Sequence, residues 1–199
     1  MLKPEEFNET TDEELVKMVL EQGHGYFLQI MKRYESKLLR YVKRLSNVSH
    51  EDAEDLLQEI FIKVYQNLNS FSGKYKFSAW IYRIAHNEII SNYRKLKAKG
   101  KDSIVKIDDE LFNEISSDLD LNKEIDRRLL GEAILEQILA LDNKYKEVLI
   151  LKYFEDKDYR EISFILKKPL GTVGTLIGRA KKQLKDKLEN KQYDRGKLS

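Results

Sequence analysis

Apolar residues recur along this chain at intervals of three and four nearly throughout, the spacing that gathers them on one face of an α-helix. Leu15, Val16, Met18, Val19 and Leu20 follow Thr11 and Glu14, a capping-box pair that predicts a helix start. A second helix is predicted through Phe27, Ile30, Met31, Tyr34, Leu38, Leu39, Val42 and Leu45. Ser49 and Asp52 open a third, with Leu56, Leu57, Ile60, Phe61, Val64, Tyr65 and Leu68 as its apolar positions. The stretch 69–77, Asn-Ser-Phe-Ser-Gly-Lys-Tyr-Lys-Phe, breaks the period and is expected to be a loop or short turn. A fourth helix is predicted from Ser78 to near Leu96, carrying Trp80, Ile81, Ile84, Ala85, Ile89, Ile90 and Tyr93.

From Lys97 to near Asp126 the period dissolves into scattered acids and serines, with room for one short helix near Asp109–Ile115. A polar stretch of this length is uncommon inside a compact domain and reads as a linker. Helical spacing returns over Leu129–Leu141, Tyr145–Phe154 and Tyr159–Leu166. A turn at Lys167–Leu170 then leads to a last helix from Gly171 to Leu188 and a polar, frayed tail after Glu189. The expected fold is therefore all-α. Two small helical domains, 1–97 and 127–190, are joined by a flexible acidic linker, 98–126, and followed by a polar tail, 191–199.

Composition supports this and narrows the chemistry. Among 199 residues there are two prolines and nine glycines, few for a turn-rich β fold, and the 41% apolar content is too high for a disordered chain. Cysteine is absent, which removes disulfides, thiolate metal sites and cysteine nucleophiles. No apolar run reaches the roughly 18–20 residues of a membrane span, and no signal peptide opens the chain, so a cytoplasmic protein is expected. His24, His50 and His86 are far apart and none has metal-ligand spacing, so neither a metal nor another cofactor is expected.

The net charge of +2 conceals a strong pattern. Residues 61–100 hold eight Lys/Arg against the single acid Glu88, and residues 165–199 hold ten against three. Between them, residues 102–142 hold four basic and twelve acidic residues, and Glu51, Asp52, Glu54, Asp55 and Glu59 crowd one helix start without a basic partner. Two basic blocks around an acidic one suggest two polyanion-binding places, although solvated helix faces produce charge runs as well.

Three segments carry candidate chemistry. In residues 158–188, Asp158 and Glu161 form a capping box, and Ile162, Ile165 and Leu166 give one buried face. A short turn precedes Val173, Ile177, Ala180, Leu184 and Leu188. This is helix-turn-helix spacing, whose second helix enters the major groove, and a plain helical hairpin shares it. Thr172, Thr175, Arg179 and Lys182 fall outward. In residues 69–97, Phe71, Tyr75, Phe77, Trp80, Tyr82 and Tyr93 interleave with Lys74, Lys76, Arg83, Arg94, Lys95 and Lys97. Such aromatics stack unpaired bases for about 1–3 kcal/mol each, though Phe77 and Trp80 suit a core equally well. In the acidic helix, the helix dipole accounts for Glu51 and Asp52. It does not account for Asp55, Gln58 and Glu59, which suit a basic protein partner and would repel DNA.

Asp52-Ala-Glu-Asp-Leu-Leu-Gln-Glu-Ile-Phe-Ile-Lys-Val-Tyr65, Phe77-Ser-Ala-Trp-Ile-Tyr-Arg-Ile-Ala-His-Asn87, and Tyr159-Arg-Glu-Ile-Ser-Phe-Ile-Leu166 with Gly171-Thr-Val stand in one order. Together they resemble the extracytoplasmic-function class of bacterial sigma factors over residues 10–97 and 127–188. The resemblance implies a non-catalytic transcription initiation factor with region-two and region-four domains. Its implied partners are core RNA polymerase, through the clamp coiled coil and the flap, promoter DNA, and an anti-sigma factor. It assigns Asp55, Leu56, Gln58 and Glu59 to core polymerase. It assigns Phe71, Lys74, Tyr75, Lys76 and Phe77 in the loop, with Trp80, Arg83, Asn87 and Arg94 on the helix, to the minus-ten element and its melting. Thr172, Thr175, Arg179 and Lys182 fall to the minus-thirty-five element, with Arg160 near a phosphate. Two departures stand out. Gly174 occupies a site where the family often has a basic residue, with Gly178 one turn on, and Ser91 stands where aspartate is common. Each of these glycines costs about 1 kcal/mol of helix stability relative to alanine. The alternatives from other classes are a stand-alone helix-turn-helix regulator and, from a nuclease-like reading of the acids at 51–59, an enzyme.

Overall fold

The computed structural model describes residues 9–46, 48–98 and 136–195, with side chains described as far as residue 187. Every regular element among them is helical, and they form two compact units. The expected linker, the short helix at Asp109–Ile115 and the start of the helix expected over Leu129–Leu141 lie outside the described residues.

The first unit contains α1 (Asp12–Gln22), a 3-10 turn (His24–Tyr26), α2 (Phe27–Ser46), α3 (His50–Asn67), a second 3-10 turn (Leu68–Ser70) and α4 (Phe77–Ala98). Each start has a local cause. At α1 the Glu14 amide donates to Thr11 Oγ1 (3.2 Å) and the Thr11 amide donates to a Glu14 carboxylate oxygen (2.7 Å), the reciprocal bonds of a capping box. Those bonds hold the Glu14 carboxyl below its ordinary pKa, the Thr11 backbone bond most. Ser49 caps α3 by accepting from the Asp52 amide at 3.1 Å. Gly23, at φ +121°, ends α1 in a conformation that side chains rarely adopt.

Apolar faces of these helices converge on Leu15, Ile30, Leu38, Ile60, Val64, Phe77, Ile81 and Ala85, each fully buried. Polar clamps then fix α1. Arg33 on α2 donates to Asp12 Oδ1 (2.7 Å) and to the Thr10 carbonyl (2.6 Å), while the Tyr34 hydroxyl donates to Asp12 Oδ2 (2.5 Å). Burial first, and then the bond to Asp12, pushes the Tyr34 hydroxyl far above the ordinary tyrosine pKa, so it remains a donor.

The irregular segment is shorter than the spacing suggests. Leu68–Ser70 turn once more, and Phe77 is the first residue of α4 rather than the end of the loop. The reason is apolar burial, because Phe77 has no exposed surface and lies against Tyr34, Phe71 and Trp80 at centroid distances of 5.8, 5.4 and 5.6 Å.

The second unit contains α5 (Asn143–Tyr153), α6 (Tyr159–Leu166) and α7 (Leu170–Arg195). Every residue from Tyr145 to Leu151 is buried, so the middle of α5 has no solvent face and carries no amphipathic pattern, while Lys144 and Tyr153 at its ends are exposed. That run includes Lys146 and Glu147. Burial pulls Lys146 below its usual pKa and pushes Glu147 above its own, against the opposing pull of Lys168 and Lys146. The last helix outruns its expected end by seven residues, from Leu188 to Arg195. No glycine or proline interrupts 179–195, and the Lys, Gln, Leu and Glu there are good helix formers.

Candidate nucleic-acid interface

Glu88, the one acid of the first basic block, is withdrawn from the surface. It is 4% exposed on α4 and receives the Lys63 ammonium from α3. With that acid buried, the outward row of α4 reads Trp80, Arg83, Asn87, Ser91 and Arg94, spaced by three and four on one stripe. Asn87 and Arg94 are exposed, while Trp80, Arg83 and Ser91 are half-buried.

The loop before the stripe is built on the aromatic cluster. Phe71, half-buried, meets Phe77 and Trp80 edge-on at 5.4 and 5.7 Å, which holds both ends of the loop against the core. Gly73 turns the chain at φ +71°, and Ser72, Lys74, Tyr75 and Lys76 are exposed. Among the aromatics of this region, Phe77 is thus core, Phe71 and Trp80 are half core and half surface, and Tyr75 is surface. A residue not anticipated from the sequence fixes the junction. Glu13 of α1 reaches across 64 positions, and its carboxylate accepts the Phe77 amide hydrogen at 2.8 Å. That amide is one of the first-turn donors that a helix leaves unpaired, and a carboxylate is the acceptor the helix dipole favours. No local sequence signal marks such a pairing.

On α3 the outward row is Asp55, Gln58, Glu59 and Ile62, again spaced by three and four, all exposed. Leu56, grouped with them on sequence grounds, is 3% exposed and lies in the core beneath that face. Ile62, which the sequence reading did not single out, is 56% exposed. Its place in the outward row is legible once the helix is laid out. Asp52, Asp55 and Glu59 also border a small cavity of about 140 Å³ with Asn92 and Leu96. Among the described residues no group of three or more His, Asp or Glu converges as a metal site.

In the second unit, Asp158 and Glu161 make both capping-box bonds at 2.8 Å. Lys167 ends α6 at φ +53°, and the Ser163 carbonyl accepts the amides of Lys167 and Lys168. The Ser163 hydroxyl donates to the Lys168 carbonyl at 2.6 Å, closing the turn. Val173, Ile177 and Ala180 are buried along α7, and Thr172, Thr175, Arg179 and Lys182 are exposed, as is Arg160 on α6. The Thr175 hydroxyl donates to the Gly171 carbonyl at 2.9 Å, so its lone pairs, not its proton, are turned outward. Lys152 lies over the Tyr159 ring and Lys181 over the Tyr153 ring, at 5.9 and 5.5 Å. The bond to the Tyr153 hydroxyl raises the Lys181 pKa above its ordinary value.

One unit with a basic, aromatic-bordered helix and a second carrying a helix-turn-helix define a two-part nucleic-acid-binding protein of the transcriptional class. The comparisons with known proteins identify it further. The sigma-70 region 2 family matches residues 30–99, and the sigma-70 region 4 family matches residues 131–184. The ECF RNA polymerase sigma factor SigW of Bacillus subtilis is 34% identical over 184 residues, covering 88% of this chain and 95% of that protein. The ECF RNA polymerase sigma-E factor of Haemophilus influenzae is 31% identical, covering 90% and 96%. Among solved structures, the sigma factor RpoE of Bartonella quintana, in complex with the anti-sigma factor NepR, shares the fold. Its TM-score is 0.64 at 23% identity, over 82% of this chain and 96% of that one. The chain belongs to the extracytoplasmic-function class of the sigma-70 family and is a promoter-directing transcription initiation factor.

Proposed function

We propose that Asp55, Gln58, Glu59 and Ile62 form the surface through which this chain docks on core RNA polymerase. Three acidic or amide groups around one exposed isoleucine make an apolar anchor inside a polar rim, the composition of a protein interface. Leu56 contributes from below, by holding α3 against the core. The minus-ten element is read and opened by the loop at Phe71–Lys76 and the α4 stripe. Tyr75, Phe71 and Trp80 offer aromatic surface to an unpaired base, while Lys74, Lys76, Arg83 and Arg94 meet phosphates and Asn87 a base edge. Phe77 serves that site as its floor. The minus-thirty-five element is met by α7. Arg179 suits the paired acceptors of guanine, and Thr175, its proton engaged within the helix, suits an amino donor or a thymine methyl. Thr172, Lys182 and Arg160 hold the backbone.

The family matches, ending at residue 99 and resuming at 131, support domains at 1–97 and 127–190 with a linker at 98–126. The chain works without catalytic activity, in the cytoplasm where polymerase is found. No helix among the described residues is long and apolar enough to cross a membrane. An anti-sigma factor, as in the complex of the Bartonella protein, restrains it until needed.

The observation that carries the reading is the exposed acidic row on a helix whose opposite face is wholly apolar. Its test is capture of core polymerase by the full chain. Gln58→Ala/Glu59→Ala and Ile62→Ser are expected to lose capture and promoter-directed transcription with an unchanged melting temperature. Retained capture by both variants would show that polymerase docks elsewhere.

A further inference from the structure

Helix α3 carries one lysine or arginine, Lys63, and two acids compete for it. Glu59 stands one turn before it on the same helix, the order and spacing in which a glutamate and a lysine pair on a helix surface. Glu88 stands on α4, 25 positions further along the chain. In the structure the Lys63 ammonium donates to the Glu88 carboxylate, and Glu59 makes no ion pair among the described residues. Burial decides the competition. Glu88 is buried and Glu59 is exposed, so an unpaired Glu88 would cost far more than a Glu59 left to water.

We infer that Lys63 is a positioning residue for polymerase docking: held by Glu88, it is kept off Glu59 and leaves the docking row its full negative charge. This rests on the reading of Asp55, Gln58, Glu59 and Ile62 as the docking surface. A Lys63 turned onto Glu59 would neutralise that acid. It would also set a cation against the basic partner that the row suits, a like-charge juxtaposition that opposes association. One pair thus sets the charge of two faces, the acidic row of α3 and the basic stripe of α4 from which Glu88 is withdrawn.

The test is an equilibrium titration of core polymerase with the full chain, at low and at high salt. Glu88→Gln keeps the shape of the side chain and removes the charge that holds Lys63. It is expected to weaken polymerase binding about two- to fivefold at low salt, the scale of one exposed ion pair. At high salt the difference should vanish, because exposed charges are screened. Lys63→Met/Glu88→Gln lacks the cation and should bind as the wild type does. In a Glu59→Gln background, Glu88→Gln should weaken binding no further, the mark of a coupling that runs through Lys63. A merely structural role for the pair would weaken binding alike in every background. Such a uniform loss, or wild-type affinity for Glu88→Gln, would overturn the inference while leaving the docking row in place. Wild-type affinity for Glu59→Gln alone would overturn the place of Glu59 in docking, and the inference with it.

Discussion

The bond from Glu13 to the Phe77 amide fixes the junction between the loop and α4, and its loss has a calculable effect. A hydrogen bond to a charged group contributes about 1.5–3 kcal/mol, and Glu13 is solvent-accessible, which favours the lower end. The carboxylate at a helix start adds about 0.3–1 kcal/mol through the dipole. Glu13→Ala should therefore destabilise the first unit by about 2 kcal/mol, or roughly 10 °C for a unit of this size. Glu13→Gln keeps a neutral acceptor and should lose about half as much. Trp80 is the only tryptophan in the chain and touches Phe77, so its fluorescence follows this unit alone during thermal melting. In transcription, Glu13→Ala should be defective on duplex promoters and recover on promoters opened in advance, because the loop is loosened rather than removed. A Glu13→Ala protein melting within about 2 °C of wild type would refute the reasoning.

The aromatic residues should separate by role. Phe77→Ala empties a fully buried site and should cost about 3–5 kcal/mol, seen in the Trp80 melt, whereas Tyr75→Ala should leave the melt unchanged and impair opening of duplex promoters. Lys167 holds a left-handed conformation that glycine adopts freely, so Lys167→Gly should stabilise the second unit by about 0.5–1 kcal/mol, read as a rise in its melting temperature. Glu147 has its folded pKa raised by burial, so its contribution to stability is full below the unfolded value and is lost as pH rises through the folded value. Glu147→Gln should therefore match wild type near pH 4 and melt higher at pH 7, and a lower melting temperature at pH 7 would contradict that sign.

The helices with one apolar face were legible because burial imposes its period on the sequence. The α1 and α6 starts were legible because their caps are local, as Thr11–Glu14 and Asp158–Glu161 show. The irregular segment expected over 69–77 is shorter, because Leu68–Ser70 form a 3-10 turn and Phe77 opens α4 one residue before the expected start. Leu68 and Phe77 are fixed by burial, and the Phe77 amide by the distant Glu13 carboxylate, which no local pattern encodes. On α3 the helical spacing put Leu56 on the apolar face and left Ile62 off it, while the resemblance grouped Leu56 with the exposed Asp55, Gln58 and Glu59. The structure follows the spacing, burying Leu56 and exposing Ile62. The charge of residues 61–100 was read correctly as basic. That Glu88 drops out of its surface depends on a Lys63 partner 25 positions away. The long reach of α7 follows from the absence of any breaker, a signal that was present and underweighted against the polarity of the tail.

A promoter-directing initiation factor acts by redirecting polymerase. Mapping transcription starts with purified core RNA polymerase on genomic DNA, with and without the chain, tests this most directly. The expected result is a restricted set of new start sites that depend on the chain, each preceded by two shared elements. Binding of the chain alone to duplex promoters, with the start sites of polymerase unchanged, would contradict it.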